Sequence, residues 1–139
     1  KLAQYEITLL DWVEAHKGSR KYVTLTTKCW PAFQTQFGFV PCYVNSRLTD
    51  RGIPVSCEVD IWGTLSEYIG TVISQDTVTL LDINNTVPSH IYNEEIKNKY
   101  DYTQKDTFMG FHCGNTAASK LTACSMKYQM IMQEPCRKK

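Results

Sequence analysis

The sequence lacks the features that announce several large classes of protein. No apolar run approaches the roughly 20 residues needed to cross a bilayer, and no secretory signal is visible at its start, so no membrane partner is expected. Charge of one sign is scarce too: 15 Lys and Arg stand against 14 Asp and Glu, spread along the chain. No basic patch points to nucleic acid, and the like-signed run Arg137-Lys-Lys139 reads as a solvated end. None of the cysteines at 29, 42, 57, 113, 124 and 136 forms a Cys-x-x-Cys pair, which argues against a zinc ribbon. Cys57 and Cys113 lie in apolar runs, where buried thiols are common. Small-secreted-domain character is also missing. Reduced thiols and a cytoplasmic location are therefore expected. Internal repeats and low-complexity tracts are absent.

What is present is enough for a packed domain. The chain has 139 residues, 42% of them hydrophobic and 12% aromatic, which excludes disorder. It starts at Lys1 and runs directly into helical periodicity, which reads as an internal piece of a longer polypeptide. Leu2, Tyr5, Leu9, Trp12 and Val13 recur near 3.6 spacing and predict an amphipathic helix over 2–16, stopped by Gly18. Tyr22–Thr27 is β-branched and predicts a strand. Lys28-Cys-Trp-Pro31 opens a second helical segment, interrupted at Gly38. Another helix is expected over Pro41–Leu48, a short strand over Ile53–Cys57 and a helix over Ile61–Ser74.

This alternation predicts an α/β fold, with a Rossmann-like parallel layer in the first half. The second half changes character. Thr77–Leu81 and Thr107–Phe111 read as strands around a polar insertion, 84–105. That insertion carries Pro88 and the block Asn93–Asp101 and is expected to hold one short helix in an otherwise looped stretch, and Lys120–Met132 reads as a strand with a turn. A boundary near residue 75 separates 1–74, the end of an α/β domain, from 75–139, the beginning of a β-rich, barrel-like one.

In parallel sheets functional groups collect beyond the carboxyl ends of the strands. Glu58 and Asp60 stand at such a place, directly after Val-Ser-Cys. An isolated charge there is costly to bury, so Glu58 is the functional candidate, while Asp60 fits the N-cap of the next helix. Asp82 ends the run Thr77-Val-Thr-Leu-Leu; as a plain structural residue it would form an Asx-type turn with Asn84 and Asn85. His112 lies between Phe111 and Cys113, where a satisfied core histidine is the ordinary reading. Cys113 has no neighbour in sequence that lowers its pKa. Trp30, Phe33 and Gln34 are candidates to line a pocket. Together Glu58, Asp82 and His112 form a carboxylate–carboxylate–imidazole set on three segment ends. Such a set suits Mn²⁺, Mg²⁺ or Co²⁺ better than thiolate zinc. The residues alone leave three readings open: a metal-dependent isomerase, a metal-dependent hydrolase or lyase, and a non-catalytic α/β binding or assembly module.

Four ordered motifs narrow this. Lys28-Cys-Trp-Pro-Ala-Phe-Gln34, Asp50-Arg-Gly-Ile-Pro-Val-Ser-Cys-Glu-Val-Asp60, Leu80-Leu-Asp-Ile-Asn84 and Phe111-His-Cys-Gly-Asn115 together resemble the L-fucose isomerase and L-arabinose isomerase-like family, from about residue 20 to about residue 132. The resemblance implies a multidomain, homo-oligomeric, cytoplasmic enzyme that interconverts an aldose and a ketose with a divalent cation, usually Mn²⁺. It implies Glu58, Asp82 and His112 as metal ligands, with Glu58 and Asp82 also handling protons, and a pentose, hexose or 6-deoxyhexose as substrate. Trp30 and Gln34 are expected near that sugar. This chain is far shorter than a family member, and Phe111 stands where fucose isomerases proper can place a polar substrate contact.

Overall fold

The computed structural model describes residues 1–112 and 115–120. Its organising unit is a parallel strand pair, β1 (Leu25–Thr26) beside β2 (Val55–Ser56), in the register Leu25↔Val55 and Thr26↔Ser56. The expected strand Tyr22–Thr27 is thus shorter than its β-branched run. Backbone hydrogen bonds carry the pairing past both strand ends: Leu25 N–H donates to the Pro54 carbonyl, Thr27 N–H to that of Ser56, and Val59 N–H to that of Thr27.

Helices cover both faces. Successive strand residues point to opposite sides, and Val55 and Ser56 divide the fold accordingly. On the Val55 side lie α1 (Leu2–Lys17) and α3 (Cys42–Asp50), whose Leu9, Val44 and Leu48 make the apolar core with Val55. On the Ser56 side lies α4 (Ile61–Ser74), with Glu67 in contact with Ser56. Glu6 fastens α1 to α3 through a two-pronged pair with Arg47, 3.0 and 3.2 Å, and a further contact with Arg51.

The expected helix from Lys28 is broken. Cys29–Phe33 forms a wide irregular turn, with a one-turn helix α2 (Gln34–Phe37) behind it, closed at Gly38. Trp30 precedes Pro31 and takes extended torsions, φ −118° and ψ 135°. The proline ring crowds the preceding residue out of the helical region, so Pro31 ends one segment where the sequence reading had it start one.

In the second half Thr77–Leu81 is not a strand. Val78 and Leu80 instead pack against Gly70 and Gly63 of α4, so their alternation serves helix packing. The strand forms one step later, as β3 (Asp82–Asn84), paired antiparallel with β4 (Met109–Phe111). Between them the one short helix of the insertion is α5 (Ser89–Glu95), which begins directly after Pro88. The described residues form no closed barrel, and their β content in this half is the single pair β3–β4. Residues 115–120 cross back to the first half. Asn115 Nδ2 donates to the Val55 carbonyl at 2.8 Å, Ser46 Oγ to that of Thr116 at 2.6 Å, and Ser119 N–H and Oγ to Asp50 Oδ1. The expected segment Lys120–Met132, apart from Lys120, and Cys113, Cys124 and Cys136 lie outside the described residues. Among those described, Cys29, Cys42 and Cys57 are thiols rather than half-cystines, and no helix is long and apolar enough to cross a membrane.

Candidate functional site

Glu58 stands on a turn that the backbone holds in an unusual form. Asp60 N–H donates to the Cys57 carbonyl at 3.0 Å, closing a turn whose two central residues, Glu58 and Val59, have φ of 60° and 59°. Turns with both central residues at positive φ ordinarily take Asn, Asp or Gly there. A β-branched valine in this region is an outlier, and each such residue costs about 1–2 kcal/mol. Strain of this kind persists only where the surroundings over-determine the backbone, and it concentrates at functional sites.

Three contacts supply the constraint. Val59 N–H donates to the Thr27 carbonyl at 3.1 Å. Asp60, as expected, caps α4, its Oδ1 accepting from Gly63 N–H at 2.8 Å. Ser56, just before the turn, donates its hydroxyl to Glu67 Oε2 at 2.5 Å. Gly63 is required at its place: a Cβ there would overlap the Asp60 carboxylate and Leu80. The outcome is an exposed Glu58 carboxylate beyond the carboxyl end of β2.

A cleft lies next to the turn at Thr27, although Glu58 itself does not line it. It has a volume of about 660 Å³ and is lined by Tyr5, Leu9, Trp12, Thr27, Lys28 and Phe39, among others, a size in the range of small-molecule sites. Thr27 is both a cleft residue and the acceptor for Val59 N–H, so cleft and turn adjoin at the same edge of the sheet. A second cleft of about 400 Å³ (Trp12, His16, Arg20, Tyr22, Tyr68) includes Tyr22 to Leu25, at the start of β1, and Glu58 does not line it either. Behind the larger cleft Tyr5 OH donates to Asn45 Oδ1 at 3.4 Å. Burial, with the Cys57 thiol adding to it, raises the Tyr5 phenol well above its ordinary range, so Tyr5 acts as a neutral hydrogen-bonding group.

The other sequence candidates are placed elsewhere. Trp30 is exposed. Gln34 has its amide nitrogen facing the carbonyls of Cys29 and Pro31, at 2.9 and 3.1 Å, where it closes the wide turn. Neither lines the cleft; Phe33, Gln36 and Phe37 of the same stretch do. Asp82 is exposed in β3, opposite Phe111, and the half-buried His112 follows that residue, so both stand at one end of the hairpin. Two carboxylates and an imidazole fit a hard divalent cation by donor type. Among the described residues, however, no three His, Cys, Asp or Glu side chains come together to hold a metal. Glu58 is thus on one sheet and Asp82 and His112 on the other.

One residue of this neighbourhood has no place among the sequence candidates. Glu67 is only 2% exposed, although it is the sole charged residue in Ile61–Ser74. That isolation in an apolar helix was its signal in the sequence.

The chain is similar to proteins named sulfoquinovose isomerase. It is 39% identical over 69 residues to one from Clostridium sp. (strain MSTE9), a match covering 45% of this chain and 15% of the relative. Over 69 residues it is 35% identical to one from Priestia aryabhattai and 30% identical to one from Alkalicoccus urumqiensis, each match covering 50% of this chain and 15% of the relative. The matched segment thus spans about 15% of the length of these curated relatives. No family model and no solved structure matches the chain. The name shared by these relatives agrees with the sequence resemblance at the level of a sugar isomerase; it is neither L-fucose nor L-arabinose isomerase.

Proposed function

We propose that this chain is a segment of a sugar isomerase that interconverts an aldose and a ketose through a cis-enediol, with Glu58 as the group that moves a proton between C1 and C2. The observation that carries the reading is the strained turn Cys57–Asp60. It holds an exposed carboxylate beyond the end of a parallel strand, and it is tied through Thr27 to the edge of a cleft of small-molecule size. Similarity to sulfoquinovose isomerases supports the reaction class, and sulfoquinovose is therefore the first sugar to test, before L-fucose and L-arabinose.

In this reading Glu58 takes the proton from C2 and a proton is returned to C1, a role that ordinarily contributes about 10²–10⁴-fold in rate. Asp82 assists with the hydroxyl proton once the hairpin end is brought to the cleft, and Thr27 and Lys28 meet the sugar from the floor of the cleft. Brought together, Asp82, His112 and Glu58 would hold Mn²⁺, Mg²⁺ or Co²⁺, and the cation would supply Lewis-acid stabilisation of charge on the substrate oxygens. Completion of that set by association of copies, or by further polypeptide, belongs to the same proposal, as does a cytoplasmic location.

The test is ketose formation by the complete protein, with Mn²⁺, on those three sugars. Glu58→Gln is expected to abolish turnover and leave the fold intact. Isomerisation retained by that variant overturns the assignment of Glu58.

A further inference from the structure

A carboxyl group sealed inside a protein is stable only where something compensates it, and Glu67 is compensated thinly. It is 2% exposed. Among the described residues no lysine, arginine or histidine pairs with it; Asp60, at the head of the same helix, is the charged neighbour acting on it. Its Oε2 accepts from Ser56 Oγ at 2.5 Å, while Oε1 lacks a well-formed hydrogen bond and the Leu80 amide is a weaker stabilising neighbour. An apolar side chain of similar volume would fill the same space without that penalty. The carboxyl therefore does something other than fill the interior.

What it touches says what that is. Ser56 is the last residue of β2, and Cys57 and Glu58 follow it directly. The turn ahead is strained at Glu58 and Val59, so its form depends on how firmly its two ends are held. Asp60 fixes one end to α4 through Gly63, and Val59 is tied to β1 through Thr27. The remaining end is fixed to α4 by the Ser56–Glu67 contact.

We propose that Glu67 is a positioning residue, which by tying the end of β2 to α4 sets the direction in which the turn presents Glu58. The inference rests on the reading of Glu58 as the proton-transfer group, but its primary test does not need turnover. Amide hydrogen exchange is measured at Val59 and Asp60 in the 139-residue chain and in Glu67→Leu, Glu67→Gln and Ser56→Ala, beside the thermal midpoint of each. A hydrogen bond to a buried carboxylate is strong enough that its loss should speed exchange at these two amides about tenfold. That loss is expected in Glu67→Leu and in Ser56→Ala. Glu67→Gln, which still offers Ser56 an acceptor, should match the parent. Exchange within α3 should not change, and the leucine variant should melt no earlier than the parent. A plain structural role would lower the midpoint and leave the turn no worse than the rest.

Parent-like protection at Val59 and Asp60 in Glu67→Leu overturns the proposal. If that variant does not fold, parent-like protection in Ser56→Ala overturns it equally. In an active complete protein Glu67→Leu should lower kcat with little change in KM, and Glu67→Gln should restore it. Absence of isomerisation in the unaltered complete protein would sink the isomerase reading and leave the exchange result to decide this one.

Discussion

Two helices flank β2 from opposite faces, and they hold to it by different means. α3 meets Val55 with Val44 and Leu48, both fully buried, the ordinary arrangement of an apolar stripe turned inward. α4 does the reverse. Its buried residues are Gly63, Glu67 and Thr71, while Ile61, Trp62, Ile69 and Ile73 face outward. One side of the sheet is therefore anchored by apolar burial and the other by one carboxyl–hydroxyl contact, with the Asp60 cap joining the turn itself to α4. The lesson concerns the turn between β2 and α4. It inherits rigidity from the apolar side through the strand and direction from the polar side through Ser56 and Asp60.

The comparison can be broken first on the apolar side. Leu48 is 0% exposed, and Leu48→Ala should destabilise the chain by about 2–5 kcal/mol, read from urea denaturation; a loss below 1 kcal/mol would mean that this face is not the anchor. On the polar side Asp60→Ala removes the helix cap and should cost about 1 kcal/mol. It should also loosen the Glu58 turn, seen as faster exchange at Val59, whereas Leu48→Ala at matched stability should leave that amide protected.

A third prediction concerns pH. Burial raises the Glu67 carboxyl above the usual carboxylate range, against the opposing effects of Ser56 and then the Leu80 amide. A folded-state pKa above the unfolded one means that the folded chain favours the protonated form. The stability tied to that proton is fully present below the ordinary carboxylate range and is lost as pH rises through the folded value. The thermal midpoint of the parent should therefore fall relative to Glu67→Gln across that interval; parallel curves would show that Glu67 carries no such linkage. The smallest effect belongs to the outward face. Trp62 is 78% exposed, and Trp62→Gln should change stability by less than about 0.5 kcal/mol. A larger loss in dilute chain would show that this face is packed in solution.

Much of the architecture was legible because it depends on local chemistry. Ile61–Ser74 was read to the residue, since Asp60 is a strong cap and no proline interrupts the helix. The parallel pair followed from the alternation of helix and strand. Val78 and Leu80 misled because alternation is also what a chain needs to lay side chains onto two glycines of a helix. Lys28–Gln34 misled because Pro31 was weighed as a helix opener, while its effect on Trp30 was not.

By itself the sequence determined the helices near 2–16, 41–48 and 61–74 and the cap at Asp60, and it named Glu58, Asp82 and His112 as candidates whose roles the family resemblance implies. Each follows from spacing, propensity or motif, which act within a few residues. Only the tertiary structure decided that Glu58 rides a turn at positive φ, that Trp30 and Gln34 lie away from the cleft, and that Asp82 and His112 stand on a different sheet from Glu58. It also decided that Glu67, the one charged residue of its helix, is buried against Ser56 at the foot of that turn. These depend on contacts between residues distant in the chain, where the cost of a strained backbone or a sealed carboxyl is met by neighbours that no local pattern names.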